Sequence, residues 1–243
     1  MTGTPAAGDT PVLEARWGAL LQLVRPVART VPWWALAAGG GLGLLTAALP
    51  RLAGGEVTPW AGANALRAAA LCFALGAAFL LDDPARQTTV AVPVRRVLRH
   101  ALRCAFVLPP AAAWWTAAVL LVPEEARPPA WDITLEAATA LALALAGSAF
   151  AVRLRGADRP GQAVAASLLV AGVLAPLLSP SEWALFTVPD DPRWADAHGH
   201  WTLLLGGALL AVAVCCVEPV RRFQPVRRLR TRPAGTGKGG PGA

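Results

Sequence analysis

Charged residues are scarce in this sequence of 243 residues, where they make up 15% of the chain against about 25% in a typical soluble domain. Apolar residues make up 55%, and the mean hydropathy is +0.48. The shortage of charge excludes a water-soluble globule. The apolar content also excludes an intrinsically disordered chain, which needs low hydrophobicity and high charge.

Residues that bind metals or form disulfides are also few. The four cysteines lie in or beside apolar segments and lack Cys-x-x-Cys spacing, which argues against a zinc site and a disulfide framework. They are Cys72, Cys104, Cys215 and Cys216. Three potential metal ligands, Asp196, His198 and His200, stand close together, but we interpret this short motif as a solvated polar loop. We therefore expect no metal and no cofactor.

Sequence motifs of enzymes are absent as well. The chain has neither the Gly-x-Ser-x-Gly motif of serine hydrolases nor the His-Glu-x-x-His motif of zinc proteases. Ser148 and Ser167 lie in apolar segments that contain no histidine to activate them. Residues 235–239, Gly-Thr-Gly-Lys-Gly, lack the spacing of a phosphate-binding loop. We therefore expect no catalytic residues and no enzymatic activity in this chain.

Long apolar runs, in contrast, are abundant. A transmembrane helix needs about 20 mostly apolar residues to cross the hydrocarbon core, and six segments approach that length. The predicted spans are residues 31–50, 60–81, 104–122, 134–152, 163–179 and 201–217. The predicted fold class is therefore all-α, a polytopic membrane protein with six transmembrane helices.

The charges divide unequally between the two sides of the membrane. The N-terminal segment, the second and fourth loops and the C-terminal tail hold 18 of the 22 basic residues, whereas the other three loops hold three basic residues and eight acids. Cytoplasmic loops are enriched in Lys and Arg, so both termini are predicted to lie in the cytoplasm. This placement of the net charge of +7 favours membrane lipid, and no nucleic acid, as a partner.

These spans divide the chain into a cytoplasmic N-terminal segment (1–30), a membrane domain (31–217) and a basic, disordered tail (218–243). An amphipathic helix is predicted in the first region because five large apolar residues recur at helical spacing. They are Leu13, Trp17, Leu20, Leu21 and Val24. We expect this helix to lie flat on the inner leaflet, and the alternative is a soluble helix docked on a partner.

The second loop contains another amphipathic helix. After Pro93 the apolar residues follow helical period, and Arg95, Arg96, Arg99 and Arg103 occupy much of the other face. Pro93 suits the first turn of a helix, where its missing N–H is not needed. The charge and the helical period of this segment leave two interpretations open. It is either a helix that contacts a protein partner or an interfacial helix that binds anionic lipid.

Three further features bear on helix geometry. A short apolar patch within residues 180–201 predicts an outer-face helix or a re-entrant segment. Pro109 and Pro110 should kink or break the third span. Gly39 and Gly43 form a Gly-x-x-x-Gly motif that permits close packing, although chance explains it equally well in a chain so rich in alanine and glycine.

Two ionisable residues fall within the spans, Arg67 in the second and Glu136 in the fourth. Arg67 follows Trp60 by seven residues, so it lies about 10 Å into the membrane by helix rise, and Glu136 lies barely inside. They form a candidate intramembrane pair, although we expect each side chain to extend to the outer surface instead. Neither lies at the midplane, where proton- and ion-driven carriers usually keep acids and histidines.

The second loop resembles that of permease subunits of ABC-2-type exporters. In that family an acidic residue closes the second span, small residues and threonines follow, and a proline precedes a basic coupling helix. The residues that carry the resemblance here are, in that order, Asp82, Asp83, Thr88, Thr89, Pro93, Arg95, Arg96, Arg99 and Arg103. The plan of an N-terminal interfacial helix, six spans and both termini inside is also similar to that family.

The resemblance implies a permease subunit that moves an unknown substrate across a bacterial cell membrane. It implies a separate ATP-binding subunit that hydrolyses ATP and contacts residues 82–103, and a homo- or heterodimer of permeases. The alternative function is a non-transporting membrane anchor or regulatory protein, which recruits a cytoplasmic partner through its basic inner face.

The charge asymmetry predicts the side on which each loop lies. Reporter fusions at Gly55, Arg127 and Asp191 should read as outside, and fusions at Gly156 and Gly237 as inside, because the basic loops stay in the cytoplasm. The measurement compares a reporter that is active only outside with one that is active only inside. An outside reading at Gly237 would contradict the six-span topology.

Overall fold

A computed structural model of the chain describes residues 28–54, 57–82, 96–155, 159–180, 183 and 185–216. In these ranges the chain forms helices and turns and no β-strand. Six helices are long and apolar enough to cross a membrane, which confirms the predicted all-α, six-span fold. They are α1 (Trp33–Leu52), α2 (Pro59–Ala77), α3 (Arg96–Leu121), α4 (Ala130–Arg155), α5 (Gly161–Leu178) and α6 (Trp194–Cys216). Short 3-10 helices follow α2 at Ala78–Leu81 and precede α4 at Glu124–Ala126.

The connections distinguish two ends of the bundle. Helix α1 joins α2, α3 joins α4 and α5 joins α6 at one end, where the connections and the helix turns beside them hold eight of the 15 acids. We call this the acidic end, and the opposite end the basic end. The predicted N-terminal helix over residues 13–24, most of the loop between α2 and α3, and the tail over 218–243 lie outside the described residues.

Helix α6 begins seven residues before the predicted sixth span, at Trp194 rather than at Trp201. The prediction of a solvated loop for residues 196–200 is therefore wrong. A turn at Asp191 starts the helix: its carboxylate accepts a hydrogen bond from the Arg193 N–H at 2.8 Å, and its carbonyl accepts one from the Trp194 N–H at 2.9 Å. Hydropathy misses this start because the first turns of α6 carry polar side chains.

Helix α3 is also longer than the predicted third span. Residues 96–103 continue directly into it, so the basic amphipathic segment forms the first turns of α3 instead of a separate helix in the described part of the loop. Pro109 and Pro110 lie inside α3, and Pro176 lies inside α5. Both helices continue through their prolines, so of the two predicted outcomes, a kink or a break, the break does not occur. Transmembrane helices tolerate proline where neighbouring groups compensate the lost hydrogen bond.

Helix α2 is the centre of the bundle. In its apolar window 56% of the residues are buried, against at most 33% in each of the other five helices. It packs against α1, α3, α4 and α5. Most of its buried residues are alanine or glycine, and small side chains let neighbouring helices approach closely in membranes.

Glycines of α1 lie at the closest part of its contact with α2. A Cβ atom on Gly39 would lie 2.5 Å from the carbonyl oxygen of Cys72, and one on Gly43 would lie 2.9 Å from that of Ala69. Both distances are too short for a carbon atom beside a backbone oxygen. Gly41, on another face of α1, has nothing within 4 Å of the same position. The Gly-x-x-x-Gly motif is thus part of the helix contact.

This packing predicts opposite effects for two neighbouring substitutions. Gly39→Ala should destabilise the protein by about 1–3 kcal/mol, because α1 must move away from the α2 backbone. Gly41→Ala should be neutral or stabilise by up to about 1 kcal/mol, because alanine favours the helix and meets no atom. Unfolding in detergent micelles measures both, and equal effects of the two substitutions would contradict the packing.

Candidate functional site

Two side chains of opposite charge meet inside the bundle near its acidic end. Arg67 of α2 donates from Nε to Oε2 of Glu136 at 2.7 Å and from Nη2 to Oε1 at 2.9 Å. The side chains are only 10% and 5% exposed, so they pair with each other instead of extending to the outer surface as expected. This two-point contact matches the planar guanidinium to the carboxylate, and such pairing is what allows two charges to be buried.

The segment between α5 and α6 covers this pair. Arg67 also donates from Nη2 to the carbonyl oxygen of Thr187 at 2.9 Å. The rings of Phe186 and Trp194 lie 5.6 Å and 6.0 Å from the guanidinium carbon, within the range of cation–π interactions. The Trp201 indole donates to the carbonyl oxygen of Leu185 at 2.9 Å. Residues 185–188, predicted as a short helix or re-entrant segment, thus form irregular chain that closes the bundle over Arg67.

A histidine that was assigned to a polar loop is the third member of this group. His198 of α6 is 8% exposed, and its Nε2 lies 3.2 Å from Oε1 of Glu136. Its Nδ1 lies 2.8 Å from the carbonyl oxygen of Trp194, so Nδ1 carries a hydrogen. Nε2 is then an acceptor in the neutral ring, and only the imidazolium donates to the carboxylate. We call Arg67, Glu136 and His198 the charge cluster.

Helical spacing is the signal in the sequence that points to His198. Trp194, His198 and Trp201 stand at positions i, i+4 and i+7, which share one face of a helix. That face packs on the bundle, where the Trp194 indole donates to Oδ2 of Asp132 in α4 at 2.7 Å. Hydropathy alone does not reveal this pattern, because the polar residues between these three lower the hydropathy of the first turns.

A cavity of about 370 Å³ lies directly beside the charge cluster. Helices α2, α4, α5 and α6 and residues 185–186 line it. Asn64, Arg67 and Glu136 form its polar part, whereas the rest of the wall is apolar. Its volume falls within the range of roughly 300–1,000 Å³ that small-molecule sites occupy, and an apolar wall with a few convergent polar groups is typical of such sites.

At the basic end, Arg103 of α3 binds the residues that close α2. Its Nη1 donates to the carbonyl oxygens of Leu80 at 3.3 Å and Asp82 at 3.1 Å. Its Nε donates to Oγ1 of Thr30, just before α1, at 3.2 Å. Arg103 is 5% exposed, so its side chain points into the bundle and links elements of the protein itself.

Asp82 extends these contacts to a further helix. Its Oδ1 accepts a hydrogen bond from the Gly161 N–H at 2.8 Å, at the first residue of α5, where a carboxylate also complements the helix dipole. Burial raises the pKa of the Asp82 carboxyl, against the hydrogen bond from Gly161 and the charges of Arg159 and Arg103, which lower it. We call this group the joint; it consists of Thr30, Leu80, Asp82, Arg103 and Gly161.

The remaining residues of the predicted coupling segment are described in part or not at all. Arg96 and Arg99 lie in the first turns of α3, where the structure describes the backbone alone. The others lie outside the described residues. They are Asp83, Thr88, Thr89, Pro93 and Arg95. Their contact with an ATPase stays a prediction.

Other candidate polar residues of the sequence do not converge on one point. The His200 ring stacks on Trp183 with centroids 4.7 Å apart, and Asp196 is exposed. Ser148 donates to the carbonyl oxygen of Ala78 at 2.7 Å. In the part of the chain that the structure describes, no three His, Cys, Asp or Glu side chains are arranged to hold a metal ion.

Comparison with known proteins assigns no family. No protein-family model, no curated protein and no solved structure matches this chain. The functional argument therefore depends on the charge cluster, the cavity and the joint.

Removing one member of the Arg67–Glu136 pair should destabilise the protein more than removing both. Arg67→Leu or Glu136→Leu leaves a buried charge without its partner, which costs about 3–5 kcal/mol. The double variant buries no unpaired charge at this position, so it should recover most of that loss. Chemical unfolding in detergent measures the four proteins of this cycle.

The control is the ion pair between Arg193 and Asp191, whose arginine side chain is 54% exposed. Arg193→Leu should change stability little, because water and salt screen exposed charges. If the loss of unfolding free energy in the double variant at positions 67 and 136 equals the sum of the losses in the two single variants, the two buried side chains act independently, which would contradict this prediction.

Proposed function

We propose that this chain is the permease subunit of an ATP-driven exporter, and that a separate subunit hydrolyses ATP and contacts residues 82–103. The observation that supports this proposal most is the joint, because it attaches both ends of that segment to the membrane helices. The resemblance of the same segment to the coupling region of ABC-2-type permeases is the second support.

The joint provides a physical route for force. A partner that pushes on the segment between Asp82 and Arg103 moves both residues together, since Arg103 binds the carbonyl oxygen of Asp82. Asp82 carries the displacement to α5 through Gly161, and Arg103 carries it to the end of α2 and to Thr30 beside α1. Four of the six helices are thus displaced at one point, as the rocking of a helix bundle requires.

These hydrogen bonds are buried or partly buried, which makes the link between the helices stiff. Charged donors and acceptors form stronger hydrogen bonds than neutral ones, and low-dielectric surroundings strengthen them further. A membrane anchor needs only exposed charge to attract its partner, so it has no need of such a link. The chain also lacks a phosphate-binding loop, so the energy for transport has to come from the partner subunit.

The link between Asp82 and α5 gives the sharpest test. Asp82→Ala removes the acceptor for Gly161 and should lower coupled ATP turnover by roughly tenfold while the ATPase remains bound. Asp82→Asn keeps an acceptor oxygen and removes a charge that burial disfavours, so it should retain most of the turnover. The measurement is co-purification of an ATPase with the tagged chain, followed by ATP turnover in proteoliposomes.

Arg159→Gln is the charge control, because Arg159 is an exposed basic residue at the same end that acts on the Asp82 carboxyl through its charge, without a hydrogen bond to it among the described residues. An alanine and glutamate scan of residues 82–103 extends the test, since a docked coupling segment predicts losses that depend on position. Losses of ATP turnover that depend only on the summed charge and not on position would contradict the proposal. So would the failure of any ATPase to co-purify, and either result would favour the membrane-anchor function.

A further inference from the structure

We infer that the cavity beside the charge cluster binds a single-chain amphiphile with an anionic head group, of the kind represented by a fatty-acid carboxylate. The head group binds at Arg67, and the alkyl chain fills the apolar part of the cavity. This inference goes beyond the proposed exporter, since binding at this site needs neither ATP nor a partner subunit.

Free hydrogen-bond donors identify the position of the head group. Nε and Nη2 of Arg67 make three hydrogen bonds, to Glu136 and to the carbonyl oxygen of Thr187. The two N–H groups on Nη1 have no acceptor among the residues that the structure describes, and Arg67 lines the cavity. A ligand with acceptor oxygens satisfies these donors.

Charge selects an anion over a neutral head group. Glu136 and the carbonyl oxygen of Thr187 already accept from Nε and Nη2 of Arg67, which leaves Nη1 as the cationic donor without an acceptor among the described residues. Arg67 and Glu136 are the charged side chains that line the cavity. A carboxylate head group accepts charge-assisted hydrogen bonds from Nη1, whereas an ammonium group offers no acceptor and would meet the guanidinium at close range.

The size of the cavity limits the ligand to one chain. A methylene group fills about the volume that a water molecule occupies in the liquid, ~30 Å³, so about 370 Å³ accommodates roughly a dozen. On α2 the wall extends from Asn64 to Leu71, about 10 Å by helix rise. Both dimensions suit a single alkyl chain and are too small for the two chains of a membrane phospholipid.

An apolar ligand reaches this site from the side of the bundle. Helices α5 and α6 make little contact with each other, and the cavity lies between them. Leu143 and Leu204 belong to its wall and are still 37% and 36% exposed. The gap therefore connects the cavity to the apolar surroundings of the helices.

Quenching of Trp201 tests the inference, because this side chain lines the cavity. The probe is ω-bromododecanoate, whose bromine quenches tryptophan on contact, added to the full chain in phosphatidylcholine nanodiscs. Saturable quenching is expected, and Trp201→Phe should remove most of it. The matched alcohol, ω-bromododecanol, should bind about tenfold more weakly because it cannot accept a charge-assisted hydrogen bond in the same way.

Two substitutions test separately how the alkyl chain and the head group of the ligand contribute to binding. Ala171→Phe fills the cavity and should raise the Kd of both probes, whereas Ala166→Phe, on another exposed face of α5, should leave both unchanged. Arg67→Lys keeps a positive charge beside Glu136 and removes Nη1. It should raise the Kd of the carboxylate about tenfold and leave that of the alcohol unchanged.

Three results would overturn the inference. One is equal quenching in the wild type and in Ala171→Phe, which would place the probe elsewhere. Another is equal affinity for the carboxylate and the alcohol in the wild type. The third is quenching of Trp201 by brominated phosphatidylcholine alone, with no further effect of the carboxylate probe, which would show that a bilayer chain already fills the cavity.

Discussion

Helix α2 places an arginine in apolar surroundings, and its pairing with Glu136 is the interaction on which the acidic half of the bundle depends. The guanidinium holds α2 to α4 through the carboxylate and holds the chain before α6 through Thr187. His198 of α6 places its Nε2 3.2 Å from the same carboxylate. An unpaired charge in this position would cost several kcal/mol, so the helices are fixed where each partner is within hydrogen-bond distance.

The same constraint shapes the basic end, where Arg103 is buried among backbone carbonyl groups. Asp82 follows Arg67 by fifteen positions along α2 and its 3-10 extension, which is roughly 22–25 Å by helix rise. One central helix therefore joins the charge cluster to the joint. In the proposed exporter, this helix is the element that would carry a displacement of the joint to the wall of the cavity.

The sequence predicted the helices well because membrane spans are recognised by composition, and the six apolar runs meet that requirement independently of how they pack. It predicted their ends less well, since polar first turns such as those of α6 lower hydropathy without ending the helix. The sequence allows a pair between Arg67 and Glu136 but favours extension of each side chain to the surface, because a depth estimated from helix rise does not show what covers a side chain. His198 was missed since its burial depends on how α6 packs on α4.

The charge cluster lies at one end of the cavity, so the cavity has a polar end and an apolar end. The polar groups lie towards the acidic end, and alanine, glycine and leucine line the part nearer the middle of the bundle. Helix α5 packs closely on α2 and on the 3-10 helix that follows it. A Cβ atom on Gly161 would meet Phe79, and one on Gly172 would meet Leu71. Because α5 is held at these two glycines, the small residues that line the cavity leave its space unfilled. The fixed position of α5 thus keeps the cavity open, and Asp82 at the start of α5 connects that opening to the joint.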